Sequence, residues 1–310
     1  MQNILKKLDL IDYLDSFSKL MAREKSIILE GDINLHHKLI SELSKFDIKA
    51  PNKIENLDSA LMHIQKQGIL KMDDIFEFIK IINYFRYLKK FSFDGKLAEW
   101  IDKITIPNEI VKICEYFDDK ANLKDGVNES FDNIKYAISK NKEAIKQNLY
   151  KIINSPKIRT YLVDSQVHYI NSEESLLVRG GFNHVLSGSV INRSNSGFFY
   201  VVPHSISDLK QKQSDLKNKQ EEILYKICKE ISSLFEKNLL FLKFINKEFD
   251  RFDHYQSRLF FSKINDKNFI LPSKNNVNRL VDFCHPALHN AKPISIDFTK
   301  SVVMITGVNA

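Results

Sequence analysis

The last ten residues, SVVMITGVNA (Ser301–Ala310), join an apolar, β-branched run to a turn at Gly307 and Asn309. The run reads as a buried strand entering a tight turn. A second chemical feature lies between Ser175 and Ser207, where no Asp or Glu occurs although Arg179 and Arg193 do. Four of the nine glycines, Gly180, Gly181, Gly188 and Gly197, fall in the same stretch. Other candidates carry less. His168, His184, His204 and His254 have no ligand spacing with Cys or carboxylates, so no metal is expected. No Ser/His/Asp or Cys/His arrangement follows from spacing, and no catalytic residue is expected. The acidic pairs Asp73–Asp74 and Glu221–Glu222 fit helix N-terminal charge or a solvated face.

These features need a scaffold, and composition bounds it. At 310 residues, 43% hydrophobic and 27% charged, the chain can bury a sizeable core in two or three subdomains. A net charge of +7 suits an anionic partner such as nucleic acid, and it suits a Lys-rich solvated surface equally well. Three scattered cysteines, Cys114, Cys228 and Cys284, fit a reducing cytoplasm. No segment reaches the roughly 18 apolar residues of a membrane span. Nine Gly and seven Pro in this length predict long uninterrupted helices.

Residues 1–120 read as helical. Ile4, Leu8, Ile11, Leu14 and Phe17 recur at helical spacing, and Asp73–Asp74 open a helix whose core face is Ile75, Phe78, Ile81, Ile82 and Phe85. Trp100 and Ile101 belong to the same core. Residues 121–156 carry a heptad-like seam, Val127, Phe131, Ile134, Ile138, Ile145, Leu149 and Ile152, ended by Pro156. A helix of about 27 residues there would be about 40 Å long. Residues 157–204 change period, and RTYLVDSQVHYI, SLLVRGG, SGSVINRS and GFFYVVP read as short strands. At least one face of Phe198, Phe199 and Tyr200 is expected to be core. A second seam over 205–236, capped by Ser205 or Ser207, includes Ile206, Leu209, Gln213, Leu216, Gln220, Ile223, Ile227, Ile231 and Leu234. Helical periodicity continues over 237–265. Residues 266–310 turn strand-like at NFILPS, ISIDF and SVVMIT. The fold expected is mainly α: a helical core, two long antiparallel helices carrying a small β module, and the first strands of an α/β unit.

At three places the chain resembles the MutS family of DNA-repair ATPases. ITGVNA is similar to the front half of that family's phosphate loop, and CHPAL, beginning at Cys284, resembles the Arg-His-Pro segment that enters the ATPase domain, with Cys284 where Arg is usual. SGFFYVVPHSISDLKQKQ resembles the strand followed by the returning lever helix. Helical core begins at the N-terminus, which points to the second-type, recombination-suppressing branch. The resemblance implies a chain cut inside the phosphate loop, with Gly307 and Asn309 as partial nucleotide-binding residues, and no cofactor or enzymatic activity of its own. It also implies that the full-length parent is a homodimeric ATPase and Smr-type endonuclease using ATP and Mg²⁺. His285 is expected to be a loop residue capping a nearby carbonyl.

The resemblance further implies that the β module is a clamp on the DNA backbone, with Lys157, Arg159, Arg179, Arg193, Lys210 and Lys212 meeting phosphates. Its partners would be branched or duplex DNA without sequence preference, or the RNA or protein of collided ribosomes. A coiled-coil interaction scaffold is the alternative, and an ordinary exposed sheet surface accounts for the same cations.

Overall fold

The computed structural model describes residues 2–171, 173–182, 184–271, 279–288, 290–299, 302 and 304. Gly307, Asn309 and most of SVVMIT lie outside these residues. Among the described residues the chain is mainly α-helical, with one four-stranded and one two-stranded antiparallel sheet. It divides into two compact units, Met1–Glu115 with Ser232–Ala310, and Tyr116–Ile231.

The first unit contains α1 (Gln2–Lys7), α2 (Ile11–Ser18), α3 (Ile33–Leu43), α4 (Asp58–Gln65), α5 (Met72–Leu88), α6 (Gly95–Asp102) and α7 (Asn108–Glu115). Its core forms around a later helix, α11 (Leu239–Ile264), against which α2, α3, α4 and α5 pack. Ile75, Phe78, Ile81, Ile82 and Phe85 are all fully buried, as their spacing predicts. They meet Phe235, Phe249, Phe252 and Tyr255 in an aromatic core with edge-to-face pairs such as Phe78–Phe235, at 5.5 Å between ring centroids. Trp100 and Ile101 join it. Two expectations are corrected here. The N-terminal apolar series is split into two helices at Asp9, whose φ is +50°, and Leu8 and Ile11 are exposed. Helix α5 starts at Met72, and Asp73 and Asp74 lie in its first turn, where they favour the dipole without capping it.

Charged groups also hold this unit together. Asp253, 1% exposed, accepts from the Ala22 backbone N–H at 2.9 Å and from Lys25 Nζ at 2.6 Å. Arg23 donates to Asp250 and to Asn246, each at 2.8 Å. Burial opposes charge on Asp250, yet Arg23 and Lys25 outweigh it and hold its carboxyl below the usual range. The segment following α2 is thereby fastened to α11.

The antiparallel pair β5 (Arg279–Phe283) and β6 (Ile294–Asp297) ends the described chain. ISID is the predicted strand. NFIL is not: residues 268–271 carry no regular structure.

The second unit is built in chain order from α8 (Glu129–Ile153), α9 (Pro156–Arg159), β1 (Leu162–Ile170), β2 (Glu173–Val178), β3 (Gly188–Arg193) and β4 (Phe199–Pro203). A single 3₁₀ turn over 204–206 leads into α10 (Ser207–Lys237), whose last turns belong to the first unit. Asn128 caps α8 by accepting from the Phe131 N–H. Helix α8 closes at Asn154, and Pro156 opens α9, where its missing N–H costs nothing. The sheet order is β1-β2-β4-β3, antiparallel throughout. Ile145, Leu149 and Ile153 of α8 share one core with Leu162, Leu176, Val178, Leu186, Val201 and Ile206.

Candidate nucleic-acid interface

Strand register decides which cations come together. Leu162 pairs with Val178, Val178 with Phe199, and Phe199 with Arg193. These four residues form one row across the sheet, at the end where β1 and β4 begin and β2 and β3 finish. Arg179 follows Val178 directly and its backbone N–H donates to Tyr161 O at 3.0 Å. Lys157 and Arg159 stand on α9, immediately before β1, and Ile158 between them packs on the module core. Lys157, Arg159, Arg179 and Arg193 therefore lie at the same end of the sheet. All four are exposed, and the surrounding segments 154–163, 178–187 and 192–199 contain no Asp or Glu.

Two tight turns occupy this end. The turn between β3 and β4 closes with Ser194 N donating to Phe198 O at 2.8 Å, and its Gly197 has φ +82°, open to glycine at little cost. A Cβ on Gly180 would stand 3.1 Å from Gly197 O, so the two turns approach backbone to backbone. The Arg193 guanidinium lies 5.4 Å from the Phe199 ring centroid, and Phe199 is half-buried against the core, which uses one face of this aromatic run. Arg179 Nε donates to Leu162 O at 3.2 Å. Each arginine is oriented by a local partner that leaves its positive charge uncompensated. Among the described residues, none of the four cations has an ion-pair partner.

Lys210 and Lys212 are placed elsewhere. They follow β4 at its far end, beside the β1–β2 connection. Lys210 pairs there with Glu173 and, at 3.1 Å, with Glu174. Its charge is compensated. The six predicted cations thus separate into four at one end and two at the other. The sequence missed this because Glu173 and Glu174 lie just before the acid-free stretch and return to Lys210 only through the strand pairing.

The helices flanking the module also meet. Asn141, 5% exposed, donates from Nδ2 to Leu209 O at 2.8 Å. It fills the gap in the α8 seam between Ile138 and Ile145, a polar seam position that the apolar count passes over. Ile145 and Ile206 share the module core one turn away, so α8 and the start of α10 run in opposite directions. Gln213 and Gln220 are half-buried along α10, as are Leu216 and Ile223.

Other chemistry finds little footing among the described residues. No group of three or more His, Cys, Asp and Glu could hold a metal. Burial pushes the Cys114 thiol up to about 12 and raises that of Cys228, which leaves both poor nucleophiles. The His285 ring Nδ1 accepts the Ala287 backbone N–H at 3.2 Å within a turn, and no carbonyl among the described residues is capped by this ring. No described helix is long and apolar enough to cross a membrane.

No family model matches the chain. Curated relatives do. Endonuclease MutS2 of Helicobacter pylori strain 26695 is 31% identical over 310 residues, covering 98% of this chain and 41% of the relative. The chain belongs to the MutS2 family. Endonuclease MutS2 of Helicobacter pylori strain J99 matches over the same share at 31% identity. Endonuclease MutS2 of Borreliella burgdorferi is 28% identical over 208 residues, 66% of this chain and 26% of the relative. The chain spans about two fifths of the Helicobacter relatives' length.

Proposed function

We propose that this MutS2-family chain supplies a nucleic-acid grip, and that the grip is the end of the β module bearing Lys157, Arg159, Arg179 and Arg193. The observation that carries this reading is the strand register that sets four exposed cations, none with an ion-pair partner among the described residues, at one end of the sheet. Cations so arranged neutralise backbone phosphates whatever the sequence, and exposed turn amides can approach phosphate oxygens closely. Its target is branched or duplex DNA, recognised by shape and charge.

The relatives are named endonucleases and are longer than this chain. The full-length protein is accordingly proposed to be a homodimeric, ATP-controlled endonuclease of the cytoplasm. It suppresses homologous recombination, and it acts on collided ribosomes through the same grip. Gly307 and Asn309 would begin the loop that holds ATP with Mg²⁺, and DNA contact by the β module does not depend on it. The paired helices support a second reading, a coiled-coil scaffold, because Asn141 and the two glutamines resemble register-fixing seam residues. Binding of a branched DNA across a salt series separates the two. The grip predicts affinity that falls steeply with salt and flattens when Arg179 and Arg193 are neutralised. The scaffold predicts weak binding and no response to those substitutions.

A further inference from the structure

One flank of α8, bordering its apolar seam, forms a groove with β1, of about 1040 Å³, inside the second unit. Three tyrosines line it and remain accessible: Tyr136 is 69% exposed, Tyr150 46% and Tyr169 72%. Tyr136 and Tyr150 are two heptads apart, so they share one face of α8 and lie about 21 Å from each other along the axis. Lys140 and Lys146 stand between them on that flank, and Lys146 Nζ lies 6.0 Å from the Tyr150 ring centroid. The facing strand β1 is a sheet edge, and its ladder is interrupted between Leu162 and Val167, which puts Ser165 and Gln166 at the groove. Of the groove's two acids, Glu174 is paired with Lys210, and Glu143 accepts from Gln147 at 3.4 Å.

The accessible apolar surface here is aromatic. The aliphatic lining residues Ile145 and Leu149 are buried and Val167 is half-buried. A protein partner's apolar helix would call for exposed aliphatic side chains. Flat rings at intervals, flanked by ammonium groups and an edge strand with polar side chains, suit unpaired bases, which stack on any aromatic face while cations follow the backbone. We infer that the α8–β1 groove is a stacking platform for a single-stranded segment of nucleic acid. It is separate from the four-cation end of the sheet and stands without it.

The test uses the full 310-residue chain and a fluorescein-labelled thymidine oligomer of about 12 nucleotides, within the site size of such grooves. A blunt-ended duplex serves as the second probe. Tyr136→Ala, Tyr150→Ala and Tyr169→Ala are each expected to weaken oligomer binding about fivefold or more, with duplex binding changed less than about twofold. The corresponding Phe variants keep the ring and are expected to bind like the parent. Arg179→Gln/Arg193→Gln should weaken the duplex while retaining the tyrosine dependence of the oligomer, which distinguishes this platform from the grip. Circular dichroism melts check that each variant is folded. The inference is overturned if the parent chain does not bind the oligomer, if folded Ala variants bind it unchanged, or if Phe costs as much as Ala. It is equally overturned if a polyglutamate peptide displaces the oligomer as well as unlabelled thymidine oligomer does, since the groove would then be an acidic-peptide site.

Discussion

Neutralising two of the four clustered arginines and lysines should change how DNA binding responds to salt by an amount that can be worked out beforehand. Each phosphate contact contributes a slope of about −0.9 in log affinity against log salt on duplex DNA. Four contacts give about −3.6, or about a 150-fold loss between 50 and 200 mM salt. Arg179→Gln/Arg193→Gln leaves two contacts, a slope of about −1.8 and a loss of about 12-fold over the same range. Both arginines are exposed, so the fold should survive; an exposed cation–π contact such as that of Arg193 with Phe199 is worth about 0.5–1 kcal/mol. Lys210→Gln supplies the internal control, because Lys210 already pairs with Glu173 and Glu174 at the other end of the sheet. Its slope should equal that of the parent. Fluorescence anisotropy with a branched DNA at several salt concentrations reads all three. Equal slopes for the parent and the double variant, or a Lys210 effect as large as the arginine effect, would refute the assignment of phosphate contact to this end of the module.

Three further outcomes follow from the framework. Asp253→Asn removes the closest partner of the half-buried Lys25 ammonium, which keeps Asp250 at 3.3 Å, and should cost about 1–3 kcal/mol; urea unfolding followed by Trp100 fluorescence reports on that unit, and an unchanged midpoint would contradict the network. Asn141→Ala removes the bond to Leu209 O and should cost about 1 kcal/mol, seen as faster amide exchange along α8 with the first unit's exchange unaltered. Burial, reinforced by Lys25 and Arg258 and opposed by Asp250, lowers the His254 pKa from 6.5 to about 4. A depressed histidine makes the unfolded chain bind the extra proton between those values. Stability is therefore full above pH 6.5 and falls as pH drops toward 4, by on the order of 1–2 kcal/mol once solvent screening is allowed for. His254→Gln should flatten that part of a pH–stability profile.

Much of the fold was legible because apolar spacing reports local periodicity directly. The α5 face, the middle of the α8 seam and the four module strands were readable in this way, although Val127 precedes α8 and Ile153 is buried where Ile152 was expected. Boundaries were less so. Pro156 stops one helix on paper yet opens another, because the same fixed φ serves both roles. Asp9 breaks the first helical run through a backbone angle that no apolar count detects. Strand β5 was missed because its residues, Arg279 to Phe283, are all exposed and show no buried face.

Residue types alone determined that this chain is mainly helical and that a small sheet, acid-poor after Glu174, interrupts it. Which cations act together was decided by strand pairing. Arg179 and Arg193 are fourteen positions apart in sequence, yet strand pairing sets both at one end of the sheet with β4 between their strands, whereas Lys210 is drawn to Glu173 and Glu174 at the opposite end. Local sequence encodes which groups can carry charge or bury surface, but electrostatic grouping depends on distance in space. In an antiparallel sheet that distance is set by register, which belongs to the folded pairing of strands and to no single segment.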